Sequence, residues 1–125
     1  MEATITKPRI GVGELAELFM RADAAAINAD PGDGLHNDGG SCNFDTPAFR
    51  IDGMQEVTIK RAAALAGLQV TGFKWLGGRK WYWLNVVLNG QANRRSTMME
   101  AAQRVLNEAA ERFDGFHACG YHQCD

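Results

Sequence analysis

The chain has 125 residues, 13 Lys and Arg against 15 Asp and Glu for a formal net charge of −2, and 46% hydrophobic side chains. That length supports one domain with a core of its own, while the mild acidity argues against tracking a long nucleic-acid backbone, which calls for a broad basic surface. No apolar run approaches the ~20 residues a membrane-spanning helix needs, and three cysteines, an odd number, do not make a pure disulfide framework.

Residues 1–10, with Pro8, hold little pattern and suit an arm or a short edge strand. The start, Met1 to Lys7, lacks the basic-then-apolar order of a secretory leader, so a cytoplasmic protein is expected. From Glu14 the apolar positions Leu15, Leu18, Phe19, Ala22 and Ala26 follow helical spacing to about Asn28, with Glu14, Glu17, Arg21 and Asp23 on the wet face. The small residues Ala24 to Ala26 suit close packing against another helix or a partner subunit. Asn28 to Gly40 is dense in Asp, Asn, Pro and Gly and is expected to be a surface loop. Its acidic, glycine-rich make-up suggests calcium, but EF-hand spacing and the closing Glu are missing.

Ser41 to Arg50 alternates as a half-buried strand, Cys42 and Phe44 one way, Asn43 and Asp45 the other, and Pro47 limits it to an edge or a bulge. A second helix is predicted over 54–66, stopped by Gly67. Strands over 68–75 and 80–88 flank Leu76-Gly77-Gly78-Arg79, a hairpin signal. A third helix is predicted over 94–113, burying Met98, Ala102, Val105, Leu106 and Ala109, and a last strand over 116–123. The fold class is therefore α+β: an N-terminal helix followed by a βαββαβ unit, a mainly antiparallel sheet with helices packed on it, compatible with a split-βαβ, ferredoxin-like sandwich.

The positive charge is local, in Lys60-Arg61, Arg79-Lys80 and Arg94-Arg95. The last pair stands out because it opens the third helix, where the partial positive charge of the helix end disfavours cations by roughly 0.3–1 kcal/mol each. An anion held there by free backbone N–H groups, the two guanidinium forks and the Ser96 and Thr97 hydroxyls makes physical sense of it. The alternative is that both arginines point into water or pair with a distant carboxylate. The hairpin carries Phe73, Trp75, Trp81, Tyr82 and Trp83, of which one face must be core; aromatic rings left on the other face would stack a base while the arginines hold phosphate.

Other constellations carry less. His117, Cys119, His122 and Cys124 invite a zinc reading, but on one extended strand they divide between two faces and do not easily close a tetrahedron. No metal or other cofactor is expected. Cys42 and Cys119 have nothing beside them that marks a depressed thiol pKa, Gly11-Val12-Gly13 is too short for a phosphate loop, and no nucleophile elbow is present. No enzyme is expected.

Gly39-Gly40-Ser41-Cys42-Asn43-Phe44-Asp45, the segment Gly90-Gln91-Ala92-Asn93-Arg94-Arg95-Ser96-Thr97 after the hairpin, and a Tyr-containing last segment ending in Asp125 resemble the first type of phage Thoeris anti-defence sponge, from residue 12 onward. The resemblance implies a non-enzymatic protein that binds cyclic nucleotide signals of bacterial immunity, of the glycocyclic ADP-ribose type and in some members the cyclic oligonucleotides of CBASS-like systems, and withholds them intact from their effector in the host cytosol. It implies a homo-oligomer, a dimer or hexamer, with pockets shared between subunits, and no partnership with nucleic-acid polymers or membranes. It carries ligand roles onto Arg94, Arg95 and Thr97, and onto Arg21, Asn43 and Trp75. The His/Cys-rich tail departs from the family pattern. Two readings from other classes stay open: a small nucleotide-processing enzyme using His117 or His122 as acid and base, and a structural or partner-binding phage protein whose first helix makes the interface.

Overall fold

The computed structural model describes residues 7–29, 41–74, 77–89 and 95–118. The first helix, α1 (Val12–Ala29), precedes strands β1 (Ser41–Asp45) and β2 (Phe49–Ile51), helix α2 (Glu56–Leu65), the hairpin strands β3 (Gln69–Lys74) and β4 (Lys80–Asn89), helix α3 (Arg95–Arg112) and strand β5 (Phe116–Ala118). This is the α+β order expected, with the N-terminal helix in place.

Two of the expected boundaries have clear chemical causes. The chain leaves α2 through Gly67, whose φ of +75° suits a residue without Cβ, while Leu68 N–H donates to Ala63 O at 2.8 Å and Gly67 N–H to Ala64 O at 3.0 Å. That pair of bonds is a Schellman closure. The turn between β3 and β4 uses Gly77 and Gly78, both at positive φ, as the glycine pair suggested.

The strand expected over 41–50 is two strands in one line. β1 pairs with β4 from Ser41↔Asn89 to Asp45↔Asn85, and β2 rejoins the same edge of β4 at Phe49↔Tyr82. Pro47 sits in the break, where it has no ladder bond to lose. Thr46 closes the gap: its N–H donates to Leu84 O at 2.9 Å and its Oγ1 accepts from Leu84 N–H at 3.0 Å. The β2 half of this line is not an edge, because β2 pairs on its far side with β5.

Across the sheet the order is β3, β4, the β1/β2 line, β5, with every pairing antiparallel. Each helical crossover skips one strand, which is the split-βαβ arrangement. α2 packs along β3 and α3 along β5, and α1 packs against both helices and β4. The core lies between these helices and one face of the sheet, with Leu15, Phe19, Phe49, Ile59, Leu84 and Leu106 inaccessible to solvent. Phe49 is its centre, with ring centroids of Phe19, Phe116 and Tyr82 at 5.4, 5.8 and 6.1 Å. Ala22 and Ala26 of the small-residue stripe are buried inside the chain, Ala26 among Val86, Met98 and Ala102 where α1 crosses the start of α3. Among the described residues no helix is long and apolar enough to cross a membrane.

Candidate functional site

Alternation along β4 divides its side chains. Tyr82, Leu84 and Val86 enter the core under the helices, so Trp81, Trp83, Asn85 and Val87 belong to the opposite face. The tryptophans are therefore on the side of the sheet away from the helices. From β3, Phe73 is in register with Trp81 and Thr71 with Trp83. The Phe73 and Trp83 rings meet at 4.4 Å between centroids, tilted by 39°, and both are only partly buried. Trp81 is buried against Ala48 and Phe73.

The next strand brings charge to this platform. Arg50 lies between the core residues Phe49 and Ile51, and so faces away from the helices. Its guanidinium carbon stands 5.3 Å from the Trp81 ring centroid, a cation–π contact. Its Nη1 pairs with Asp52 Oδ1, while its buried Nε has no hydrogen-bond partner among the described residues. His117 of β5, in register with Arg50, places Nε2 2.9 Å from Asp52 Oδ2. Burial pushes the Asp52 carboxyl up, but the His117 hydrogen bond and the Arg50, His117 and Arg79 charges outweigh it and leave the group below the ordinary carboxylate range. A row thus runs across the face from stacking rings to a cation, a shared carboxylate and an imidazole. Flat heteroaromatic groups suit one end and hydrogen-bonding or anionic groups the other.

Of the residues expected to hold ligand, Arg94 and Trp75 lie outside the described residues, as do Cys119, His122 and Cys124 of the tail and most of the glycine-rich loop. Arg95 is the first residue of α3, whose first turn holds no acidic side chain, and Thr97 is partly buried just after it. Asn43 is in register with Val87 of β4. Arg21 stands elsewhere. It is exposed on α1 with Nη2 2.9 Å from Glu108 Oε2, and Glu108 is about 20 Å along α3 from Arg95 at 1.5 Å per residue. Arg95 and Thr97 lie two residues apart in the first turn of α3, and Arg21 stands apart from that turn.

Arg50 and Asp52 were missed in the sequence. The signal was available, since Phe-Arg-Ile places a cation on the face opposite two core side chains. Comparison of the chain with protein-family models, with curated proteins and with solved structures finds no match.

Proposed function

We propose that the protein binds cyclic nucleotide immune signals, of the glycocyclic ADP-ribose or cyclic oligonucleotide kind, and sequesters them without cleavage, as a phage anti-defence sponge in the host cytosol. The observation that carries the reading is the partly exposed Phe73–Trp83 pair on the face away from the helices, beside Arg50 over Trp81. A base stacks on such rings with about 1–3 kcal/mol. The Arg95 start of α3, without an acidic residue in its first turn, supplies a place for phosphate. Sequestration needs affinity and no transition-state machinery. In this reading the protein works as a homo-oligomer, a dimer or hexamer, without metal or cofactor.

A second reading has its own observation. Asp52 holds Nε2 of His117 at 2.9 Å, and an imidazole oriented by a carboxylate is the usual form of a general acid–base. One experiment separates the two. A cyclic nucleotide incubated with the protein and recovered after heat denaturation returns intact from a sponge and as product from an enzyme. Conversion that is lost in His117→Ala would overturn the sponge reading, and a ligand never depleted from solution would overturn both.

A further inference from the structure

Where β3 stops and β4 runs on, a notch of about 380 Å³ is lined by Asp23, Gly67, Leu68, Gln69, Asn85 and Val87. The register of β3 on β4 ends at Gln69↔Asn85, so Val87 lies past the last β3 residue on that edge, and it is half exposed. The polar side chains of the notch are one carboxylate and two carboxamides, with no cation among the lining residues. Asp23 is partly buried, and burial pushes its carboxyl above the ordinary value, with no donor or cation among the described residues to offset it. Asn85 is oriented from outside, because its Nδ2 donates to Asp45 Oδ1 at 3.3 Å. A carboxylate only accepts, so the amide turns its NH2 toward Asp45 and leaves its Oδ1 as an acceptor. The notch therefore sets the acceptor-only Asp23 carboxylate and the Asn85 Oδ1 beside the Gln69 amide, which offers both donor and acceptor, next to Leu68 and Val87.

A partly desolvated carboxylate without a donor is unfavourable, and a ligand presenting two N–H groups side by side relieves it through a bidentate pair. We propose that the notch holds the edge of a guanine base, with Asp23 accepting from the ring N1–H and the exocyclic amino group. This rests on the nucleotide reading above and selects the guanine-bearing members of that class. Adenine presents one amino donor beside a ring-nitrogen lone pair that faces the carboxylate unfavourably, and hypoxanthine lacks the amino group. Trp83 is two residues from Asn85 on the same face of β4, about 7 Å along the strand, so the Asn85 side of the notch adjoins the stacking platform, across the sheet edge from Asp23 of α1.

Calorimetric titration of the full chain with GMP, IMP and AMP tests the assignment, with agmatine as a guanidinium lacking a purine. GMP is expected to bind at least about tenfold more tightly than IMP or AMP, the value of one charge-assisted hydrogen bond. Asp23→Asn is expected to erase that preference with AMP binding unchanged, and Trp83→Ala to weaken all three nucleotides alike. Melting curves on both variants confirm that they fold, and Asp23→Ser serves if Asp23→Asn does not. Equal affinity for the three nucleotides with Asp23→Asn silent overturns the guanine assignment and leaves the nucleotide reading standing, as does agmatine binding more tightly than GMP. Binding of no nucleotide overturns both.

Discussion

Arg9 and Asp114, 105 residues apart in sequence, are joined by an ion pair with Nη1 3.3 Å from Oδ2. The Asp114 N–H also donates to Pro8 O at 2.9 Å, and Asp52 N–H to Gly115 O at 2.8 Å. With a further bond from Arg9 Nη2 to Asp52 O, one guanidinium ties the N-terminal segment to the turns before α2 and before β5. It rests against Gly53 and Gly115, both at a φ of +79°.

Gly115→Ala is therefore expected to destabilise on two counts. The left-handed backbone costs an L-residue roughly 1–2 kcal/mol, and the new Cβ runs into Arg9 Nη1. A fall in melting temperature of several degrees is expected. Arg9→Ala alone removes an exposed pair and is expected to cost under about 1 kcal/mol. In the double variant the clash is gone and the φ penalty remains, so the two changes should couple favourably in a thermal double-mutant cycle. Strict additivity would show that Arg9 and Gly115 do not touch.

Ala26→Leu is expected to destabilise by about 1–3 kcal/mol through overpacking, since Ala26 is inaccessible among Val86, Met98 and Ala102. Ala26→Glu would bury a charge in the same place and unfold the chain. A charge that tests self-association belongs instead at Ala24, which is exposed on α1. Ala24→Glu is expected to shrink the particle in light scattering with little change in melting temperature. A wild-type chain that already runs as a monomer at micromolar concentration would end the oligomer proposal.

The acid limb of stability should depend on Asp52. Its carboxyl is held below the ordinary range in the folded chain, so its contribution is fully present above the unfolded pKa of about 4 and is lost as pH falls through the lower folded value. Glu56 acts in the same direction, held down by hydrogen bonds from Lys80 and then Lys60. Asp52→Asn should flatten the decline of melting temperature below about pH 4, leaving the Glu56 part. Because Asp52 is nearly half exposed, the change is small, and the discriminating readout is slope rather than stability at neutral pH. An unchanged slope would place the acid sensitivity elsewhere.

Much of this architecture was legible because local signals agreed with one another. The Gly77-Gly78 turn, the Gly67 stop and the 3.6-residue pattern of Leu15, Leu18, Phe19, Ala22 and Ala26 each point to one structure, and the structure follows them. What periodicity cannot supply is which face of a two-faced strand meets the helices. Trp81 and Trp83 are larger than Leu84 and Val86, yet the latter fill the core under the helices, where Phe19, Phe49 and Phe116 already pack together. The break at Pro47 was readable as a bulge but not as an interior one, since the partner on the far side, β5, lies about 65 residues on, as the Asp52–His117 separation shows. Asp23 read as a wet-face acid; it is partly buried and shares a notch with Gly67 and Leu68 of the α2–β3 turn and with Asn85 and Val87 of β4, neighbours that no helical wheel contains.

The last expectation concerns the start of α3. Arg95 opens that helix with no acidic residue in its first turn, so the partial positive charge of the free N–H groups meets a cation instead of an anion. If Arg94 and Arg95 clamp phosphate, changing either to Ala removes a charge-assisted hydrogen bond of about 1.5–3 kcal/mol, roughly a ten- to hundredfold loss of affinity for a cyclic nucleotide. Lys should restore only part of it, because an ammonium offers a point charge where a guanidinium offers a fork. Thr97→Val, which keeps shape and loses the hydroxyl, should weaken binding by less, the bond being uncharged. Stability should move the other way or stay level, since removing a cation from a helix N-terminus relieves an unfavourable interaction. Titration and melting curves on the same variants decide the matter: unchanged affinity together with a lowered melting temperature would show that the two arginines serve the fold and not a ligand.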